Sequence, residues 1–246
     1  MKSLFFKELT SFFGSLIGYL VLSLFLLALG LIVWVFPESS VFEYGFADLE
    51  SLFVYTPYVF TFLIPAVAMR SLAEEKRSGT WELLMTSPLS VTQIILAKYL
   101  AILVVVFLAL LPTLGYAFTL SVLGDPPGNL DLAGFFGSWL GLLMIGATFA
   151  SVGLFSSALT SQQVVAFVLG VFLCFALYFG FSALADLVPW DWSRGVEDWS
   201  RGVEELSLSY HYTSLGRGVI DSRDVFFLLG MVWVFLGSAV LVLKKK

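Results

Sequence analysis

Charge is what this sequence has least of: only 13% of its 246 residues are Asp, Glu, Lys or Arg, about half the share of an ordinary soluble domain. Water is therefore not its main solvent. The 13 bases are outnumbered by 18 acids, giving a net charge of -5, and no basic face exists that could displace counterions from a phosphate backbone, which argues against a nucleic-acid partner. The single cysteine, Cys174, lies in an apolar run, so neither an intrachain disulfide nor a multi-Cys zinc pattern is available. It reads as a small packing residue. The single histidine, His211, has no Cys or His neighbour and reads as a surface or interface residue rather than a metal ligand. A G-x-x-x-x-G-K-[ST] phosphate loop is missing, so the chain is not expected to hydrolyse nucleotide itself. G-x-S-x-G, H-E-x-x-H and an acid pair inside an apolar run are missing too, which counts against an intramembrane enzyme. No cofactor or metal site is expected in the chain.

Apolar residues are abundant: 59% of the chain, with 25 Phe and a mean hydropathy of +0.95. An apolar run of about 20 residues makes a helix long enough to cross the hydrocarbon layer. Six such runs are present, at 15–36, 52–69, 93–120, 132–159, 162–185 and 225–243, so the expected fold is an all-α integral membrane protein forming a single transmembrane domain over 1–246. No acid or base falls near the centre of a run. Lys98 lies one turn inside the third, from where its amine is expected to reach the headgroups. The first run is longer than the apolar core of a secretory signal, and an uncleaved anchor is expected. Ser90 with Gln93, and Thr160 with Gln163, read as capping boxes opening the third and fifth spans. Pro65 and Pro112 fall inside runs and are expected to kink them.

Six spans put both ends of the chain on one side. Lys2, Lys7, Arg70, Lys76, Arg77, Lys98, Lys244, Lys245 and Lys246 fall on that side, nine of the 13 bases, so the positive-inside rule makes it the cytoplasm. Arg194, Arg201, Arg217 and Arg223 fall on the other.

The longest cytoplasmic connection, 70–92, contains RSLAEEKRSGTWELLMTSPLS. A charged helical extension from Arg70 to Arg77 is expected to continue the second span until Gly79 breaks it. Thr80 can then cap a short helix, with Glu82 well placed in its first turn. Trp81, Leu83, Leu84 and Met85 are too many apolar groups for a solvated turn, so this elbow should bury them against headgroups, another helix or a partner protein. Residues 1–14 place Phe5, Phe6, Leu9, Phe12 and Phe13 among the polar Lys2, Lys7 and Glu8, the pattern of a surface-lying amphipathic helix.

AEEKRSGTWELLMTSPLSVTQIILAKYLA resembles the segment after the second span in type-2 ABC exporter permeases. Four further stretches, FFKELTSFFGSLIGYLVLSLFLLALGLIVWVF, FTFLIPAVAMRS, VVAFVLGVFLCFALYFGF and YHYTSLGRGVIDSRDVFFLL, carry the likeness over nearly the whole chain, with particular similarity to the gliding-motility-associated ABC permease subunit. The resemblance implies a subunit of the bacterial inner membrane that works with a separate ABC ATPase, which binds the ATP and Mg, and with a second permease chain, itself a copy or a relative. It implies a connecting helix at 1–14 and a coupling helix at the elbow, where Glu74, Glu75, Lys76, Arg77, Gly79, Thr80, Glu82, Leu83 and Leu84 would receive the ATPase's motion. Near the end it marks a signature region, His211, Tyr212, Arg217, Gly218, Asp221, Arg223 and Asp224, without assigning it chemistry. From the residues alone that region reads as a helix cap with local ion pairs.

Within the connection 186–224, residues 191–204 are a perfect tandem heptad, DWSRGVE twice. Trp192, Val196, Trp199, Val203 and Leu206 recur on one helical face, so a short interfacial helix on the outer side is expected, with its tryptophans at headgroup depth. Gly14 with Gly18, and Gly137 with Gly141, make G-x-x-x-G spacings that serve helix packing within one chain or between two. An ion-coupled carrier would place ionisable groups at mid-membrane, which this chain does not. A structural or sensor membrane protein is excluded only by the elbow and the resemblance. An apolar interior free of charge suits lipid-like, peptide or polysaccharide cargo, or a mechanical role.

Overall fold

The computed structural model of the chain describes residues 1–44, 48–124, 131–186, 202–216 and 221–244, and among them it contains helices and no strand. In chain order the helices are α1 (Lys2–Phe13), α2 (Leu16–Trp34), α3 (Val41–Tyr44), α4 (Glu50–Arg77), α5 (Thr80–Met85), α6 (Val91–Leu110), α7 (Thr113–Leu123), α8 (Leu132–Leu159), α9 (Gln163–Phe175), α10 (Phe181–Asp186), α11 (Leu208–Leu215) and α12 (Ser222–Lys244). Six spans are long and apolar enough to cross a membrane: α2, α4, α6 with α7, α8, α9 through α10, and α12. Most of the tandem heptad lies outside the described residues, as do Arg217 and Gly218.

Local signals set most helix starts. Ser90 and Gln93 form the full reciprocal capping box, Ser90 Oγ accepting from Gln93 N at 3.3 Å and Gln93 Oε1 from Ser90 N at 3.1 Å. Ser15 accepts from Gly18 N at the start of α2, and Asp131 accepts from the N–H groups of Ala133 and Gly134 at the start of α8. The second expected box does not form. Thr160 is the last residue of the α8 turn-off and its Oγ1 accepts from Gln162 N, so it orders the tight connection and leaves α9 to begin at Gln163 without a side-chain cap.

The prolines act differently from one another. Pro57 and Pro65 both lie within the continuous α4. Pro112 instead separates α6 from α7; a proline's missing N–H and crowding ring weaken the ladder at all three positions, and only here does the helix divide. The fifth span holds a π turn at Ala176–Gly180, a local widening of the helix that the apolar pattern does not mark.

The core is made by the middle spans. Of the most apolar stretch of α8, 72% is buried, against 22% in α2, α9 and α12. α8 packs against α4 and α6, and its glycines allow the approach: a Cβ on Gly153 would stand 2.7 Å from Ala68 Cβ of α4, and one on Gly146 2.7 Å from Val106 Cγ1 of α6. Both are contacts within one chain. The outer faces of the peripheral spans carry Leu20, Leu24, Leu27, Phe172, Trp233 and Leu241, all exposed. Such a surface is stable only against lipid or another apolar protein.

Candidate functional site

At the elbow end, α4 runs on past its apolar stretch through the charged 70–77 segment without interruption. The chain then reverses at Gly79, whose φ of 72° makes it the one positive-φ residue among those described. Gly79 itself precedes the first residue of α5, and Thr80, expected to cap that helix, is its first residue. The Thr80 hydroxyl instead shares a hydrogen bond with Ser78 Oγ at 2.9 Å. α5 is anchored on one side only: Trp81 and Leu84 pack with Leu4, Ile94 and Ala97 of α1 and α6. Its opposite side offers Leu83, 71% exposed, and Met85 ends the helix 43% exposed.

Beneath the elbow is a buried ion cluster that sequence reading missed. Lys98 does not reach the headgroups; its side chain is 0% exposed. Its ammonium meets Glu8 Oε1 at 2.8 Å, Glu75 Oε1 at 2.9 Å and the Ser71 carbonyl at 2.7 Å. Glu8 and the Ser71 carbonyl accept hydrogen bonds from the ammonium, and Glu75 pairs with it by charge. Lys7 stands 3.7 Å from Glu75 on the open side. The cluster joins α1, α4 and α6. α1 crosses α6, burying Leu4 and leaving Phe6 exposed, so it is seated on the bundle by one face. The signal in the sequence was a base one turn inside an apolar run together with an acid, Glu8, on an amphipathic helix.

A second join links α4 to α8. Ser157 Oγ accepts from the backbone N–H groups of Leu72 and Ala73 and donates to the Met69 carbonyl, inserting an α8 side chain into the backbone ladder of α4 where its apolar stretch ends. Lys76 donates to the Ala158 carbonyl at the end of α8, where a helix presents its negative end.

The predicted coupling residues thus divide. Glu75 and Lys76 are spent on internal bonds, Leu84 is half-buried, and Glu74, Arg77, Gly79, Thr80, Glu82 and Leu83 are exposed.

At the far end the signature residues come together in part. His211 is buried where α11 meets α12, so of the surface and interface readings the surface one does not hold. Its Nδ1 lies 2.7 Å from Asp224 Oδ1, its Nε2 lies 2.8 Å from the Glu205 carbonyl, and its ring stacks on Phe227 at 4.0 Å. A carboxylate and a carbonyl both accept, so both bonds form only when the pair holds one proton more than neutral imidazole and carboxylate. Asp221 accepts from the Arg223 N–H, the expected local cap, and Arg223 is exposed. Tyr212 donates to the Phe53 carbonyl at 2.9 Å. Phe53 is four residues before Pro57, the position whose carbonyl a proline leaves without a donor, so the Tyr212 hydroxyl fills the gap. Burial, and after it Tyr178, pushes that hydroxyl well above the usual tyrosine value, keeping it a donor. A Cβ at Gly141 would stand 3.1 Å from the Tyr212 ring, so this second G-x-x-x-G spacing also serves the chain's own packing.

A family model described as ABC-2 family transporter protein matches residues 37–194, well over half the chain. No curated protein matches the chain. The matched stretch takes in four of the six spans, the α4–α5 elbow and the Lys98 cluster apart from Lys7 and Glu8. The chain accordingly belongs to the ABC-2 family of transporter proteins, as a multi-pass permease component of such a transporter.

Proposed function

We propose that the chain takes its driving force from a separate ABC ATPase that docks on the elbow, with both ends of the chain on the cytoplasmic side of the bacterial inner membrane. The observation that carries this reading is the asymmetry of α5: one face anchored by Trp81 and Leu84, the opposite side presenting Leu83, 71% exposed. An exposed apolar lip on a held helix is suited to a groove in a partner. Displacing α5 would be felt by α4 through the turn at Gly79, by α1 and α6 through the Lys98 cluster, and by α8 through Ser157 and Lys76. The movement would then pass into the central spans. ATP and Mg belong to the partner. A second permease, a copy or a relative, would meet the apolar faces of the outer spans. Export, or mechanical work linked to gliding motility, is the outcome that the resemblance in sequence favours.

The test is co-purification with a candidate ATPase, followed by measurement of its turnover. Leu83→Glu lies on the exposed lip, so the permease should keep its melting temperature and lose ATPase association by roughly tenfold or more, as expected for removal of an interface anchor. Unchanged association and turnover would reject the coupling role.

A further inference from the structure

A cleft of about 410 Å³ opens among α1, the start of α2, the end of α4 and α6. Its walls are of two kinds. Ile17, Val21, Val67, Ile102 and Val105 make an apolar side, while Lys7, Glu8, Arg70, Glu74, Glu75 and Lys98 bring charge. Four of the six charged groups satisfy one another: Lys98 with Glu8 and Glu75, and Lys7 with Glu75. Arg70 and Glu74, one helical turn apart on α4, form no ion pair among the described residues. Two buried polar atoms on the cleft-lining side chains also lack partners there, Arg70 Nε and Glu75 Oε2. One is a donor and the other an acceptor. Leaving such groups unmet is costly, so a molecule that supplies both an acceptor and a donor is favoured.

Arg70 directly follows the last apolar residue of its run, Met69, which sets the cleft at headgroup depth. We infer that it binds one phospholipid of the phosphatidylethanolamine type, its phosphate on Arg70, its ammonium at the Glu74 and Glu75 carboxylates, and an acyl chain along Val21, Val67 and Ile102. Arginine matches a phosphate through its planar fork of donors. The primary ammonium supplies N–H groups that a choline headgroup lacks, and phosphatidylglycerol brings no cation for the carboxylates. The lipid would bridge α1 to α4 beside the ion cluster. This inference does not depend on the coupling role.

The test uses the delipidated full chain in detergent, with lipid binding followed by native mass spectrometry and by thermal unfolding. Phosphatidylethanolamine should bind and stabilise more than phosphatidylcholine or phosphatidylglycerol. Arg70→Gln should weaken it roughly tenfold or more, the loss expected for a charged hydrogen bond. Val21→Trp, which fills the apolar side without touching a charge, should weaken all three lipids together and provides a second variant if Arg70→Gln folds poorly. Equal binding of the three headgroups by the unaltered chain, undiminished phosphatidylethanolamine binding in both variants, or the same stabilisation by inorganic phosphate alone would overturn the inference.

Discussion

Lys98 shows how a polar residue can be held in an apolar helix. Its charge has two carboxylates and a carbonyl around it, so desolvation is offset by two ion pairs and two hydrogen bonds. Lys98→Met removes the cation and leaves Glu8 and Glu75, whose side chains are only 18% and 13% exposed, facing each other. The expected loss is about 3–5 kcal/mol, read from thermal or denaturant unfolding, and adding Glu8→Gln and Glu75→Gln should recover most of it. If Lys98→Met alone unfolds like the unaltered protein, the cluster does not hold the helices together. At the far end Tyr212→Phe keeps the ring and removes the donor to the Phe53 carbonyl. A loss of about 1–3 kcal/mol is expected for the orphaned acceptor, and Pro57→Ala, which restores an N–H to that carbonyl, should reduce the effect of Tyr212→Phe.

At the scale of the element, the elbow is two helices and one permitted turn. A Cβ at Gly79 would meet no atom within 4 Å, so the requirement there is conformational and not steric. Gly79→Ala should cost about 1–2 kcal/mol for a left-handed conformation, shown as faster amide exchange in α5 with the six spans unchanged. Slower exchange in that variant would mean that the turn carries no constraint. The break at Gly79 and the box at Ser90 and Gln93 were legible because each depends on residues within one turn. The Thr160 box was not, since the end of α8 and a three-residue connection claimed the same side chain. Pro112 marked the right place, yet whether an apolar helix bends or divides depends on what packs around it.

At the scale of the molecule, the spans fall into a buried centre and an apolar periphery, and the proposed cytoplasmic placement of the elbow rests on the distribution of bases. In a chain with buried Cys174→Ala, a thiol in place of exposed Ser78 should resist an impermeant reagent applied outside intact cells, while one in place of exposed Ser222 should react. The reverse pattern would invert the orientation. Ser207 is unsuited to such a test, because it is buried and donates to the Tyr178 carbonyl of the π turn.

Composition and run length by themselves determined a membrane protein of six spans with a charged elbow, because bilayer thickness acts on contiguous sequence and a helix break acts on neighbours. Which polar groups would meet was decided only by the tertiary structure. Lys98 and Glu8 are 90 positions apart, and Tyr212 and Phe53 159. An ammonium that looks able to reach the headgroups becomes the centre of an ion cluster once α1 folds across α6, and a proline's orphaned carbonyl is answered from the other end of the chain. No local pattern encodes those partners, since each is brought within reach only when helices distant in sequence pack against one another.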